Sequence, residues 1–162
     1  MKKWLLILLN LIIFVLAEAG YKDEAVVKIT ADVLQPITIK KISDVDFGTI
    51  IAGDTDIKAK QNGKIEISGN GNIKLEWKAD GDSRYKSVKE FLEVPIYNEN
   101  SKKIITEIFL GENKGSIVED VIKFSGLKSK EITIKGRINK LPIETESGKY
   151  SGGITIRATY EN

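Results

Sequence analysis

Apolar and polar residues alternate through most of the chain after its first twenty positions. Successive side chains of a β-strand point to opposite faces of a sheet, so a period of two indicates strands with one buried face. The alternation therefore predicts strands at both ends of this region. The apolar positions of these two terminal runs are Val27, Ile29, Ala31 and Val33, and then Ile154, Ile156, Ala158 and Tyr160.

The same alternation recurs inside the chain. Residues 65–67 alternate before a Gly/Asn-rich stretch at 68–72, and a second alternating run ends at Trp77. Two period-two runs joined by such a stretch predict a β-hairpin with its turn at 68–72. Residues 132–138 alternate around Gly136, where we expect a bulge.

Two stretches depart from the alternation. Residues 80–92 predict a turn and a short helix, because Ser87 and Glu90 have the spacing of a capping box. Residues 116–124 are ambiguous. Since neither stretch is long enough for a helical layer, the pattern favours an all-β fold, an antiparallel β-sandwich. We assign residues 36–162 to it and interpret residues 20–35 as either an N-terminal extension or its first strand.

The first nineteen residues have the organisation of a secretory signal peptide. Lys2 and Lys3 precede an apolar run over 4–16, and Ala17 and Ala19 provide the small residues that a signal peptidase requires. The run is shorter than the roughly 20 residues that span a bilayer, which disfavours a membrane anchor. We therefore expect cleavage before residue 20 and export of a 143-residue chain to the periplasm and then the cell surface or the medium.

Composition excludes several kinds of chemistry. The 162 residues include no His and no Cys, so His-dependent catalysis, thiolate nucleophiles, His-ligated zinc and disulfides are ruled out. With 25 Lys and Arg against 23 Asp and Glu, the chain lacks the basic surplus of a nucleic-acid-binding protein. After residue 19 there are 22 Ile and six Leu, which suits strands better than helices. We expect no enzymatic activity, no cofactor and no nucleic-acid partner.

The remaining polar and aromatic candidates are weak. Acidic pairs with one intervening residue can present calcium ligands, but Asp also favours turns, which is the interpretation we prefer here. Nothing marks a pair of carboxylates for glycoside hydrolysis. Trp77 and Tyr97 could stack on sugar rings, although a Trp that ends an alternating run is more typical of a core. The acidic pairs are Asp44/Asp46, Asp54/Asp56 and Asp80/Asp82.

Two motifs lie near the two ends of the predicted mature chain. The first contains Asp46, Phe47 and Gly48, followed by Gly53. The C-terminal motif comprises Gly148, Tyr150, Gly152, Ile154, Ile156, Ala158 and Tyr160. Together they resemble motifs of a family of exported bacterial fimbrillin-like proteins, which are similar to spore-coat-U-like proteins and chaperone–usher pilins. Gly148 and Tyr160 are twelve residues apart, which is the spacing of the closing pilin strand, but Tyr160 is third from the end rather than penultimate, and the pilin disulfide is absent.

The resemblance implies a subunit of a surface appendage that assembles by β-strand addition. In such proteins an immunoglobulin-like sandwich lacks its final strand, and a neighbour's N-terminal strand completes it. The resemblance therefore implies an incomplete immunoglobulin-like sandwich here. A donor strand must be extended, have a period-two apolar pattern and lie near the mature N-terminus. The run that meets these demands, and is therefore the candidate donor strand, comprises Val27, Ile29, Ala31 and Val33. The implied partners are copies of the chain or other fimbrial subunits, a periplasmic chaperone and an outer-membrane usher. The alternative is that residues 25–33 form the domain's own first strand, which would make the protein a stand-alone adhesin or a carbohydrate- or protein-binding module.

Overall fold

The computed structural model describes residues 24–111 and 119–161. The predicted signal peptide, with Ala17 and Ala19, lies outside the described residues. The chain divides after Asp32 into two units. Residues 24–32 of the first unit adopt no helix or strand, and their side chains are exposed. The second unit contains all of the strands.

The fold is all-β, as the alternation predicts, and no helix occurs among the described residues. Period-two sequences rich in Ile account for the strands, because β-branched side chains pack well on a pleated surface. The strands are β1 (Thr38–Ser43), β2 (Thr55–Lys58), β3 (Gly63–Ala79), β4 (Lys86–Ser87), β5 (Leu92–Tyr97), β6 (Lys103–Leu110), β7 (Val121–Lys140) and β8 (Ile154–Tyr160).

All of these strands belong to one curled antiparallel sheet. The hydrogen-bonded path runs β1-β3-β7-β6-β5, while β2 pairs with β7, and β4 and β8 pair with β3. β1 pairs with residues 64–68 of β3, and β8 pairs with residues 73–79 of β3. An immunoglobulin-like sandwich is consistent with this arrangement.

The inward faces of β3 and β7 form the centre of the main core. Ile67, Ile73 and Leu75 are fully buried, and Trp77 is 1% exposed. Trp77 is thus a core residue, as its position in the alternation predicts. A second cluster, around Ile138, includes Phe47 and Tyr150 at its border.

The hairpin predicted at residues 68–72 is wrong, because β3 continues through that stretch as one strand. The irregularity is instead a bulge in the pairing with β7, where the partners step from Gly69 and Lys128 to Gly71 and Phe124. Gly69 faces the core, and a Cβ there would lie 2.5 Å from the Cδ1 of Ile73. The extra residues of the bulge lie in β7, so the glycines of β3 fit a crowded strand opposite a bulge rather than a chain reversal.

Two other local predictions are also corrected. Residues 80–92 form turns and the two-residue strand β4 instead of a helix, and the Ser87 hydroxyl accepts the N–H of Lys89 at 3.3 Å. The pairing of β6 with β7 passes through Gly136 without a register shift, so the expected bulge is absent there. Of the ambiguous stretch 116–124, residues from Val121 onward belong to β7.

Candidate functional site: the open edge of β8

The C-terminal strand β8 is paired along one side only among the described residues. Its partner is β3, in a register that runs from Ala79 opposite Ile154 to Ile73 opposite Tyr160. The strand lies where the alternation over 154–160 predicts it. Its other side offers backbone donors and acceptors to a further strand.

The direction of each β8 peptide group follows from the hydrogen bonds at its two ends. Glu161 donates its N–H to Asn72 at 3.0 Å, and Gly153 accepts the N–H of Asp80 at 2.9 Å. Because peptide groups alternate in direction along an antiparallel strand, the odd-numbered residues of β8 face β3. The even-numbered residues therefore direct their N–H and C=O groups to the open edge. They are Ile154, Ile156, Ala158 and Tyr160.

The same four residues also carry the inward-facing side chains of β8. Each packs against the main core but is only partly buried. Their partners on β3, by contrast, are at most 2% exposed. The apolar core therefore extends to the open edge of β8 and is incompletely covered there.

A charged pair on the outer face attaches β8 to β3. Arg157 donates to Glu76 Oε2 from Nη2 at 2.6 Å and from Nε at 3.1 Å. The Arg157 guanidinium also lies 4.0 Å from the centre of the Tyr85 ring. The hydrogen bond from Arg157, supported by the charges of Arg157 and Lys74, holds the pKa of Glu76 below its usual value against the opposing effect of desolvation. This contact was not anticipated from the sequence, since it depends on the register between two strands distant along the chain.

Two other strands at the ends of the pairing path have features that discourage strand addition. β1 carries Lys40 and Lys41, and charged side chains protect sheet edges. β5 contains Pro95, which has no N–H to donate. Tyr97, at the end of β5, exchanges two backbone hydrogen bonds with Ser151, at 2.8 and 2.9 Å. The β8 sequence ITIRATY contains no Pro, and its single charged residue, Arg157, is paired with Glu76 on the outer face.

The glycines before β8 allow the chain to pass between the edges of β5 and β3. A Cβ at Gly152 would lie 2.6 Å from the Pro95 carbonyl oxygen, and a Cβ at Gly153 would collide with the Asp80 carboxylate. The C-terminal motif therefore divides into two parts. Gly148, Tyr150 and Gly152 lie in a connection, where the Tyr150 hydroxyl donates to the Glu146 carbonyl at 2.8 Å, and β8 itself begins at Ile154.

Tyr160 joins the end of β8 to the start of the second unit. Its hydroxyl lies within hydrogen-bonding distance of the Gln35 carbonyl and 3.1 Å from Asn70 Oδ1. The same Asn70 oxygen accepts the N–H of Gln35 at 2.8 Å. Gln35 is thus held beside the end of β8, only two residues after the last apolar position of the candidate donor run, Val33.

The candidate donor residues belong to no strand in the structure. Val27 is 79% exposed, Ile29 is 91% exposed and Val33 is 80% exposed, and Ala31 is exposed as well. Large aliphatic side chains in an alternating run are rarely left so fully in solvent. The chain thus contains an uncovered apolar strand sequence as well as an uncovered strand edge.

The first motif makes a tight turn against β7. Asp46 exchanges backbone hydrogen bonds with Gln61 at 2.9 Å, and its carboxylate accepts the Gly48 N–H at 2.8 Å. Gly48 and Gly53 have φ angles of 66° and 96°, in the left-handed region that favours glycine. Phe47 packs against the second core cluster. These residues have structural roles in the fold.

The acidic pairs are separated into turns and surface contacts. Asp54 accepts the N–H of Ile51 at 3.3 Å, Asp44 pairs with Lys41 at 3.0 Å, and Asp56 lies 3.6 Å from Arg137. Within residues 24–111 and 119–161, no three acidic side chains converge on a position where they could hold a metal ion. Over the same residues, no helix is long and apolar enough to cross a membrane.

No family model and no curated protein matches the chain.

Proposed function

We propose that the protein is a structural subunit of a bacterial surface appendage, which assembles when one copy adds its N-terminal strand to the β8 edge of the next. The observation that carries this proposal is the open β8 edge with its incompletely covered core residues. The exposed run 27–33 supplies a matching strand. With this function we also propose what the sequence leads us to expect: export of the chain, an immunoglobulin-like sandwich and a relationship to fimbrial subunits.

Donor and acceptor match in length and in pattern. The run from Val27 to Val33 covers seven residues with four apolar positions, and β8 is also seven residues long with four inward positions. An added strand would satisfy the open peptide groups and cover the half-buried side chains. Because the donor and acceptor surfaces differ, each copy can both give and receive a strand, so the contact builds an open chain of subunits.

Paired substitutions at neighbouring positions test the donation. We expect Ile29→Asp to abolish assembly, because the carboxylate would enter a pocket of the apolar core. Thr30→Asp places the same charge on the opposite face of the strand and should leave assembly intact. The measurement is the ladder of oligomers that survives SDS without heating, for the protein collected from the cell surface. Ladders from both variants would contradict the proposal.

A mixing experiment tests the direction of assembly. The Ile29→Asp variant retains its own β8 edge, so it should accept a strand without donating one. Added to the wild-type protein, it should shorten the oligomers in proportion to its share, whereas Thr30→Asp should not. Monomers from the wild type and both variants would favour the alternative of a stand-alone adhesin or binding module.

A further inference from the structure

The outer face of the β5–β6 hairpin is apolar at its centre. Pro95 and Ile105 are directly opposite each other in the register of the two strands, and both point away from the core. Ile105 is 43% exposed, and the neighbouring Tyr97 is 46% exposed. We call the surface formed by Glu93, Pro95, Tyr97, Lys103 and Ile105 the hairpin face.

Opposite charges lie at equal distances on either side of this centre. Two residues from Ile105 toward the turn, Lys103 lies opposite Tyr97 in the strand register. Two residues from Pro95 in the other direction, Glu93 lies opposite Glu107. The 3.3–3.4 Å rise of a strand puts Lys103 and the Glu93–Glu107 pair roughly 13 Å apart along the hairpin.

The charges at the two ends of the hairpin face are available for contact. Glu107 is buried and already engaged, since Arg137 Nη2 donates to it at 2.9 Å and Asn139 Nδ2 at 2.5 Å. Glu93 and Lys103, by contrast, are exposed and form no ion pair with any other described residue. Glu93 also faces the carboxylate of Glu107 across the strands, so an added positive charge would be favourable there.

We infer that the hairpin face binds the same face of a second copy of this chain through a twofold axis that passes over Pro95 and Ile105. The axis lies in the plane between the two faces and runs perpendicular to the strands. The two hairpins therefore lie face to face with their strands in opposite directions. Lys103 of each copy then meets the Glu93 end of the other, and the two Ile105 side chains meet at the centre. The contact has an apolar core between two symmetric charged ends, an arrangement typical of an isologous interface.

This pairing does not depend on strand addition, because it uses neither the β8 edge nor residues 27–33. In an assembled appendage it would join chains of subunits side by side. In the alternative case of a stand-alone module, it would produce a simple dimer. The two contacts also differ in resistance to SDS, which should dissolve the hairpin-face pair.

Charge-reversal variants of the protein, purified from its host, test the pairing. Where strand addition would obscure the measurement, all variants also carry Ile29→Asp. Sedimentation equilibrium should show a dimer. Lys103→Glu or Glu93→Lys alone should raise its dissociation constant at least about tenfold, because like charges then meet at both ends. The combined Glu93→Lys/Lys103→Glu variant should return to within about threefold of the wild type. Ile105→Asp should also abolish the dimer.

Lys102→Glu is the matched control, since it changes the net charge equally in the turn outside the hairpin face. It should leave the dissociation constant unchanged. A protein that stays monomeric at about 100 μM would overturn the inference, and so would a dimer that Ile105→Asp leaves intact. Failure of the double variant to recover, with both single variants folded by circular dichroism, would overturn the twofold arrangement.

Discussion

Gly136 lies within β7, where Phe47 and Val45 occupy the space that a side chain would need. A Cβ at this position would be 2.8 Å from Phe47 Cζ and 2.9 Å from Val45 Cγ1. Real Cβ contacts are not this short, so glycine is required by packing rather than by backbone conformation. The Phe of the first motif therefore packs directly against a glycine of β7.

We predict that Gly136→Ala destabilises the fold by about 1–3 kcal/mol, the usual cost of overpacking a filled site. Phe47→Leu shortens the side chain that collides, so the alanine should cost less in that background. The measurement is the free energy of urea unfolding for the wild type, both single variants and the double variant. If Gly136→Ala costs as much in the Phe47→Leu background as in the wild type, the proposed contact is contradicted.

At the scale of elements, β8 is attached to β3 by backbone hydrogen bonds and by the pair of Arg157 with Glu76. Glu76 has a lowered pKa in the folded protein, chiefly through the Arg157 hydrogen bond. Such a carboxyl stabilises the fold above its unfolded pKa of about 4.3, and this contribution is lost as the pH falls through the lower folded value. Asp120, whose pKa is lowered mainly by Lys89, follows the same rule at the opposite edge of β3.

We predict that the free energy of unfolding decreases below about pH 4.3 and that Glu76→Gln reduces the size of this decrease. Part of it should persist in the variant, because Asp120 also titrates. Urea unfolding of the wild type and Glu76→Gln from pH 7 to pH 2 measures the difference. Parallel curves for the two proteins would show that the Arg157 pair does not stabilise the attachment of β8.

The sequence predicts where strands lie better than it predicts which strands pair. The alternation over 154–160 locates β8 correctly, because local side-chain pattern decides which residues face the core. The same pattern continues through Gly69 and Gly71 in unchanged phase, and this was the available sign that β3 does not turn there. Which strand pairs with which could not be predicted, since no local side-chain pattern encodes strand pairing. The open edge of β8 and the exposure of residues 27–33 therefore required the structure.

Across the whole molecule, burial decreases from the centre of the sheet toward β8. Trp77 is 1% exposed on β3, whereas Ile156 opposite it is only partly buried. The chain has no disulfide to compensate for such an opening, since it contains no cysteine. A strand from another copy would add apolar cover where the core is thinnest, so assembly and completion of the core would be a single event.

Amide hydrogen exchange along β8 should distinguish the single subunit from the assembled chain. In the Ile29→Asp variant, which cannot donate its strand, the amides of Ile156 and Ala158 face the open edge and should exchange much faster than those of Arg157 and Thr159, which bond to β3. In the assembled wild-type protein all four should be protected, because the added strand accepts the outward N–H groups. Arg157 and Thr159 are the internal controls, since they should be protected in both states. The measurement is NMR-detected exchange after the assembled protein has been dissolved in a quenching solvent. Persistent fast exchange at Ile156 and Ala158 in the assembled protein would place the contact between subunits elsewhere.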